Sequence, residues 1–267
     1  MSVLVADRHT AKSEFEHTFS LFYADSERLL NKVSKRRKEF ICTNIILLNN
    51  SIYDDIMTIQ NYLFSKKEYK KEIKQLKIQD VFKKIEYLER CIMVYSNIMS
   101  LPFEKQGNWC SSLNKEIALL NGMVDDKHKK SKFRVSVLDW NKINKFETLR
   151  NMSKLHRYTH GKAVRAVGEL KNGETSLLIN LIDEAFYYLM KANSYIPQTK
   201  EEYEERTKYI ETSLLKLNEI QRPMLLYFNT MKYSNRVQVE WSEMLNLEIK
   251  LIKGLLKSDK KRFSKLP

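Results

Sequence analysis

The chain matches itself. Slid along itself by 132 positions, Arg90, Tyr95, Asn97 and Met99 fall on Arg222, Tyr227, Asn229 and Met231. Continuing without a gap, Trp109 meets Trp241, Leu113 and Asn114 meet Leu245 and Asn246, and Glu116 and Ile117 meet Glu248 and Ile249. Leu119 then meets Leu251 and Gly122 meets Gly254. About a third of roughly 33 positions agree, and a shared tryptophan and glycine make chance a poor explanation. A shift of two further residues brings Glu68-Tyr69 onto Glu202-Tyr203 and Tyr53 onto Tyr187, while Ser2-Val-Leu4 and Ser136-Val-Leu138 mark similar starts. Two homologous domains are therefore expected, residues 1–126 and 135–267, joined by a basic linker at 127–134.

Each copy reads as four helices. In the first, Ile78, Val81, Ile85, Leu88, Ile92, Tyr95 and Met99 recur at spacings of three and four, one apolar stripe on a third helix. Ile210, Ser213, Leu217, Ile220, Met224, Tyr227 and Met231 repeat it. The facing helices are expected near 11–34, 39–64 and 108–124 in the first copy, and near 141–167, 176–195 and 235–260 in the second. Short connections between long helices imply antiparallel neighbours, and Pro223 should kink the third helix of the second copy. Only six glycines and four prolines occur in 267 residues, which excludes turn-rich sandwiches and barrels. The expected fold class is all-α, two tandem up-down four-helix bundles.

The opening apolar stretch, Val3-Leu-Val-Ala6, stops at Asp7-Arg8 and is too short for a signal-peptide core. No run approaches the ~18 apolar residues of a spanning helix. Cys42, Cys91 and Cys110 are widely spaced without a CxxC pair, as expected of buried or half-buried thiols in a reducing cytoplasm. A cytoplasmic protein away from membranes is the expectation.

Motifs for catalysis are scarce. The sequence has no P-loop, no GxGxxG, no HExxH and no cysteine cluster with zinc spacing. His156 and His160 stand four apart and could share a helix face, but no neighbour in sequence completes a metal set. They are read as exposed or nucleic-acid-facing, and no metal, cofactor or catalytic residue is expected. Arg150-Asn151 followed by His156 resembles the R-N-x(n)-H motif of HEPN ribonucleases, in which the arginine would hold a phosphate and the histidine assist proton transfer. Copy one lacks the pair: shifts of 134 to 135 place Glu16 or Phe15 at the arginine and Phe22 or Leu21 at the histidine.

Charge is the broader signal. The net charge is +14; 24 Lys and Arg face 17 Asp and Glu in residues 1–134, and 23 face 16 in the remainder. The candidate phosphate-binding residues gather in clusters: Lys32, Lys35, Arg36, Arg37 and Lys38; Lys129, Lys130, Lys132 and Arg134; Arg157, Lys162 and Arg165; and Lys253, Lys257, Lys260, Lys261 and Arg262. Such a field attracts polyanions and binds phosphates through counterion release. RNA is the expected partner ahead of DNA. The aromatics lie at core spacing rather than among the basic clusters, so base readout by stacking has no support.

Lys191-Ala-Asn-Ser194 with Pro197, Glu202 and Arg206, then Glu240-Trp241 and Glu248-Ile-Lys-Leu-Ile-Lys-Gly-Leu-Leu-Lys-Ser-Asp-Lys-Lys-Arg262, resemble the Avd-type four-helix-bundle proteins. These are accessory proteins of diversity-generating retroelements, related to bundle proteins encoded in ribosomal-RNA intervening sequences. The similarity is clearest from 176 to 263 and reaches copy one through Ile52-Tyr53, Tyr69, Trp109 and Gly122. The resemblance implies a non-enzymatic bundle that binds a reverse transcriptase and its template RNA and assembles as a homo-oligomeric ring, typically of five bundles. This chain departs from that pattern by fusing two bundles, so that a five-fold ring cannot be made from whole chains without leaving a bundle outside. The expected function is an RNA-binding accessory protein of a retroelement's reverse transcriptase. The alternatives are a HEPN-like ribonuclease and an adaptor in a mobile-element or phage-defence system.

Overall fold

The computed structural model describes residues 14–33, 38, 41–165, 173–264 and 266, with the backbone alone at 164, 165 and 174. Among these residues there are nine helices and no strand. The chain falls into two compact units, Met1–Tyr95 with Leu101–Val137, and Ser96–Ser100 with Leu138–Pro267.

The first bundle is built from α1 (Glu14–Leu30), α2 (Thr43–Asn61), α3 (Glu68–Ile98) and α4 (Phe103–Asn121). Helix α1 packs on α2 and α4. The Tyr95 hydroxyl ties α3 to α1 by donating to the Leu29 carbonyl at 2.8 Å, and Lys77 ties it to α2 through the buried Asp55. The α3 stripe is buried from Ile78 through Tyr95, as its spacing requires. Helix α4 begins just after Pro102, earlier than its apolar pattern suggests. Pro102 forms its N-cap, and Gly107 sits inside the helix at a cost of about 1 kcal/mol that packing on α1 offsets.

The second bundle comprises a short α5 (Trp140–Lys145), then α6 (Glu147–Arg165), α7 (Gly173–Ala192), α8 (Lys200–Met231) and α9 (Asn235–Arg262). Packing runs α6 on α7, α7 on α8, α8 on α9 and α9 back on α6, the closed circuit of an up-down bundle. The first helix expected here is broken in two. Asp139 caps α5 by accepting from the Asn141 and Lys142 amides, and Phe146 turns extended at φ −96°, ψ 124°. The Arg150 guanidinium then donates to the Asn144 carbonyl at 3.0 Å, satisfying an acceptor that the break exposes. Helix α8 continues through the buried Pro223.

The duplication is visible in atomic detail. Trp109 and Trp241 are the seventh residues of α4 and α9. Trp109 Nε1 donates to Ser26 Oγ at 2.8 Å and Trp241 Nε1 to Thr159 Oγ1 at 3.1 Å. Both rings meet the equivalent tyrosine edge-on, Tyr95 at 5.5 Å and Tyr227 at 6.1 Å. Gln106 donates to the Leu101 carbonyl as Gln238 does to that of Tyr233. Ser100 and Lys232, again 132 apart, share the left-handed conformation, φ 49° and 47°, that lets a chain leave a helix C-terminus.

The first two helices of each copy align at a different shift from the sequence estimate of 134 to 135. Ser26 and Thr159 are 133 apart, and so are the buried sets Ile45, Ile52, Ile56 and Ile59 against Leu178, Ala185, Leu189 and Ala192. Arg150 therefore corresponds to His17, and His156 to Tyr23. Substituted side chains hid this register, because only the packed face preserves it.

Candidate functional site

The most concentrated group of chemically capable side chains lies in the second bundle. Helix α6 presents His156 and His160 one turn apart, and α7 lays Asp183 between them. The His156 and His160 Nε2 atoms stand 3.0 and 2.5 Å from the same Asp183 Oδ1. The Ser153 hydroxyl donates to Asn97 Oδ1 at 2.6 Å, which orients the amide so that its Nδ2 donates to His156 Nδ1 at 2.8 Å. The His156 proton then sits on Nε2 and is donated to Asp183. The His156 ring stacks on Phe186 at 4.4 Å.

Both histidines are buried, which corrects the expectation of exposed or nucleic-acid-facing rings. Their face of α6 also carries Met152, Leu155 and Ala163, all core residues, and looks inward. Burial pushes the His156 imidazole down to about 4, against the pull of Asp183, so the ring is neutral at pH 7. Burial opposes the Asp183 charge as well, yet the imidazoles beside it, His160 foremost, hold its carboxyl well below the usual range. His160 Nδ1 has no hydrogen-bond partner among the described residues. The donor atoms of the three side chains all lie within 4.8 Å of one another, so these are the groups that could hold a metal. Sequence inspection missed Asp183, which lies 27 residues from His156; an aspartate on the otherwise apolar face of α7 was the one available signal.

Arg150 and His156 are not brought together. Six residues of helix rotate one side chain about 120° from the other. Arg150 is exposed and engaged with the Asn144 carbonyl, while His156 is enclosed.

The basic clusters differ in what they leave available. Lys35, Arg36 and Arg37 lie outside the described residues, as does the Arg165 side chain. Lys32 is exposed, and Lys38 donates to Asn31 at 3.3 Å. Arg157 donates to the Ser100 hydroxyl, and the Lys162 ammonium lies over the Tyr158 and Tyr233 rings at 4.9 and 5.7 Å. Lys129, Lys130, Lys132 and Arg134 are exposed on a segment that is strapped to the first bundle. Asn121 exchanges two hydrogen bonds with the backbone of Ser131, and Asn114 two with that of Val135. Ser136 N donates to Glu89 at 2.6 Å.

Helix α9 carries the most regular array. At 100° per residue, Lys250, Lys253, Lys257, Lys260 and Lys261 share one arc of about 100°, opposite the core side chains Trp241, Leu245 and Ile252. All five are exposed and none has an ion-pair partner among the described residues. Arg262 falls off this arc, its guanidinium 5.2 Å from the Phe263 ring. On the inner side Asp259 is buried against Arg206 at 2.7 Å, and Arg206 also reaches the Ala192 carbonyl, closing the end of α7.

One buried carboxylic acid recurs in each copy. Glu116 on α4 and Glu248 on α9 are both fully enclosed. Burial pushes Glu248 up to about 8, against a 2.7 Å hydrogen bond from Asn151, and raises Glu116 well above the carboxylate range. All three cysteines are buried free thiols, and burial pushes Cys110 up to about 12, which makes it a poor nucleophile. Among the described residues no helix is long and apolar enough to cross a membrane.

No protein-family model, no curated protein and no solved structure matches this chain. Fold and site together define it as an all-α protein with two helix clusters consistent with duplicated four-helix bundles, a lysine-faced last helix and one enclosed His–His–Asp group.

Proposed function

We propose that the chain is a non-enzymatic RNA-binding accessory protein that holds phosphates along α9 and serves a retroelement's reverse transcriptase. The observation that carries the binding half is the α9 lysine arc. Five ammonium groups, exposed and without carboxylate partners among the described residues, run along about 16 Å of helix. Charges left in water this way contribute little to stability but can release counterions from a polyanion. RNA and the reverse transcriptase enter through the resemblance of the second copy to the Avd-type bundles. That resemblance also brings self-assembly into the reading. A ribonuclease reading draws no support from Arg150 and His156, because one side chain is occupied and the other enclosed; purified protein is expected to leave single-stranded RNA intact.

Filter binding of single-stranded RNA across a salt series tests the binding half. Five phosphate contacts predict a log–log slope of roughly −3.5. Changing Lys253, Lys257, Lys260 and Lys261 together to Glu should abolish most of the affinity while leaving helix content intact. A flat salt dependence, or unchanged affinity in that variant, would overturn the assignment. An adjacent reverse-transcriptase gene with template and variable repeats would support the second half, and co-purification with that enzyme would test it directly.

A further inference from the structure

We infer that His156, His160 and Asp183 form a binding site for one divalent transition-metal ion of zinc-like ligand preference. Two imidazole nitrogens one helical turn apart, with a carboxylate oxygen supplied by the neighbouring helix, are a donor set such ions favour. The spacing suits it. Ligand atoms on a tetrahedral zinc at bond lengths of ~2.0–2.1 Å sit about 3.3 Å apart. The Nε2 atoms lie 3.0 and 2.5 Å from Asp183 Oδ1, and the whole set is contained within 4.8 Å. To admit the ion, the two short contacts must widen by less than about 1 Å and the longest separation must close by about 1.5 Å. Three protein ligands leave a fourth position open.

The surroundings fit a ligating role better than a packing one. A ligating histidine donates its other ring N–H to an outer partner; the Asn97 side-chain amide, held by Ser153, lies 2.8 Å from His156 Nδ1, and turned to present Oδ1 it would take that proton and leave Nε2 for the ion. The ring itself is held by stacking on Phe186. His160 Nδ1 has no partner among the described residues and could carry the ring proton while Nε2 ligates. Asp183 is largely buried, and its ion-pair contacts among the described residues are the two imidazoles, with no lysine or arginine against it.

The duplication provides an internal control. At the shift of 133, His156, His160 and Asp183 correspond to Tyr23, Glu27 and Asn50. There the Tyr23 hydroxyl donates to Asn50 Oδ1 at 2.7 Å, the counterpart of the His156–Asp183 contact. Tyr53 stands 6.4 Å from the Tyr23 ring where Phe186 stacks on His156. The equivalent place in the first copy thus carries an exposed tyrosine–amide hydrogen bond, so this position of the bundle accepts residues other than two histidines and an aspartate. The second copy carries a donor set the fold itself does not need.

The test titrates Zn²⁺, and separately Co²⁺, into EDTA-treated, dialysed full-length protein. One Zn²⁺ per chain is expected by calorimetry, with Co²⁺ giving visible d–d bands and no thiolate charge transfer, since the three cysteines take no part. Asp183→Asn and His160→Gln should each weaken Zn²⁺ binding at least tenfold and abolish the zinc-dependent rise in melting temperature. Absence of saturable binding to the wild-type chain would overturn the inference, as would affinity unchanged in both variants, which would place the ion elsewhere. Should the variants fail to fold, the imidazole nitrogen resonances of the wild-type protein decide. Zinc must shift those of two buried histidines, and unshifted signals at saturation would remove the site.

Discussion

Helices α4 and α9 are the same element twice, 19 residues long in the first copy and 28 in the second, and over their shared length they differ most on one side. Their inner faces keep a tryptophan, a leucine, a buried glutamic acid and an isoleucine in register, at 109, 113, 116 and 117 and again at 241, 245, 248 and 249. On the outer face Asn114, Ala118 and Asn121 of α4 become Asn246, Lys250 and Lys253 of α9. In the first bundle the two asparagines clamp the backbone of residues 131–135 against the helix. In the second, the corresponding face is exposed and basic. The inner face answers to close packing, where a changed volume is felt at once, so the two copies stayed alike there. The outer face answers to whatever it touches, and the copies took up different work.

The deepest shared feature predicts the largest effect. Trp109→Ala and Trp241→Ala should each cost about 3–5 kcal/mol in chemical denaturation, because each removes an enclosed ring and leaves a buried hydroxyl, Ser26 or Thr159, without its donor. Similar losses from the two sites would sharpen the equivalence. A loss from only one would break it.

Glu248 should reveal itself through pH. Its folded pKa is raised to about 8, above the ordinary value near 4.5, so the folded chain holds a proton that the unfolded chain releases. Stability from this group is complete below about pH 4.5 and is lost as pH rises through about 8. Glu248→Gln should therefore stabilise the protein by as much as about 3 kcal/mol at pH 7 and by little at pH 4.5. Melting curves from pH 4.5 to 9 would check the slope. Glu116→Gln should behave in the same direction, and an opposite sign at either site would separate the two buried acids.

The clamp is the smallest effect and the cleanest contrast. Asn114→Ala removes two hydrogen bonds to Val135 and should cost about 1–2 kcal/mol, with faster amide exchange at Val135. Asn246→Ala, on the exposed face of α9, should stay within about 0.5 kcal/mol. Equal effects would mean that the outer faces are not as different as their contacts imply.

Much of this architecture is legible in the residues. The spacing of Ile78 through Met99 marks a buried stripe, and the coincidence of Trp109 with Trp241 marks equivalent places in two fourth helices. Where reading along the chain failed, the missing quantity was rotation or partnership between helices. His156 and His160 were correctly placed on one face, but nothing local says whether that face looks in or out when arginine and lysine flank it. Residues 127–134 have the composition of a solvated linker, yet Ser131 within them and Val135 just beyond are held by Asn121 and Asn114, which read as ordinary surface polar residues. The break at Phe146 is accompanied by Arg150 reaching back to Asn144, a contact that helix propensity does not encode.

An all-α chain made of one four-helix pattern used twice, with its core faces and its basic character, follows from the order of the residues alone. It does so because helical periodicity and repetition are properties of order along one dimension. Packing alone sets that Asp183 lies between His156 and His160, that the segment after residue 127 is strapped down, and that five lysines of α9 have no ion-pair partner among the described residues. Those facts depend on how far one helix is turned about its axis and slid against the next, a choice set by the packing of many side chains at once.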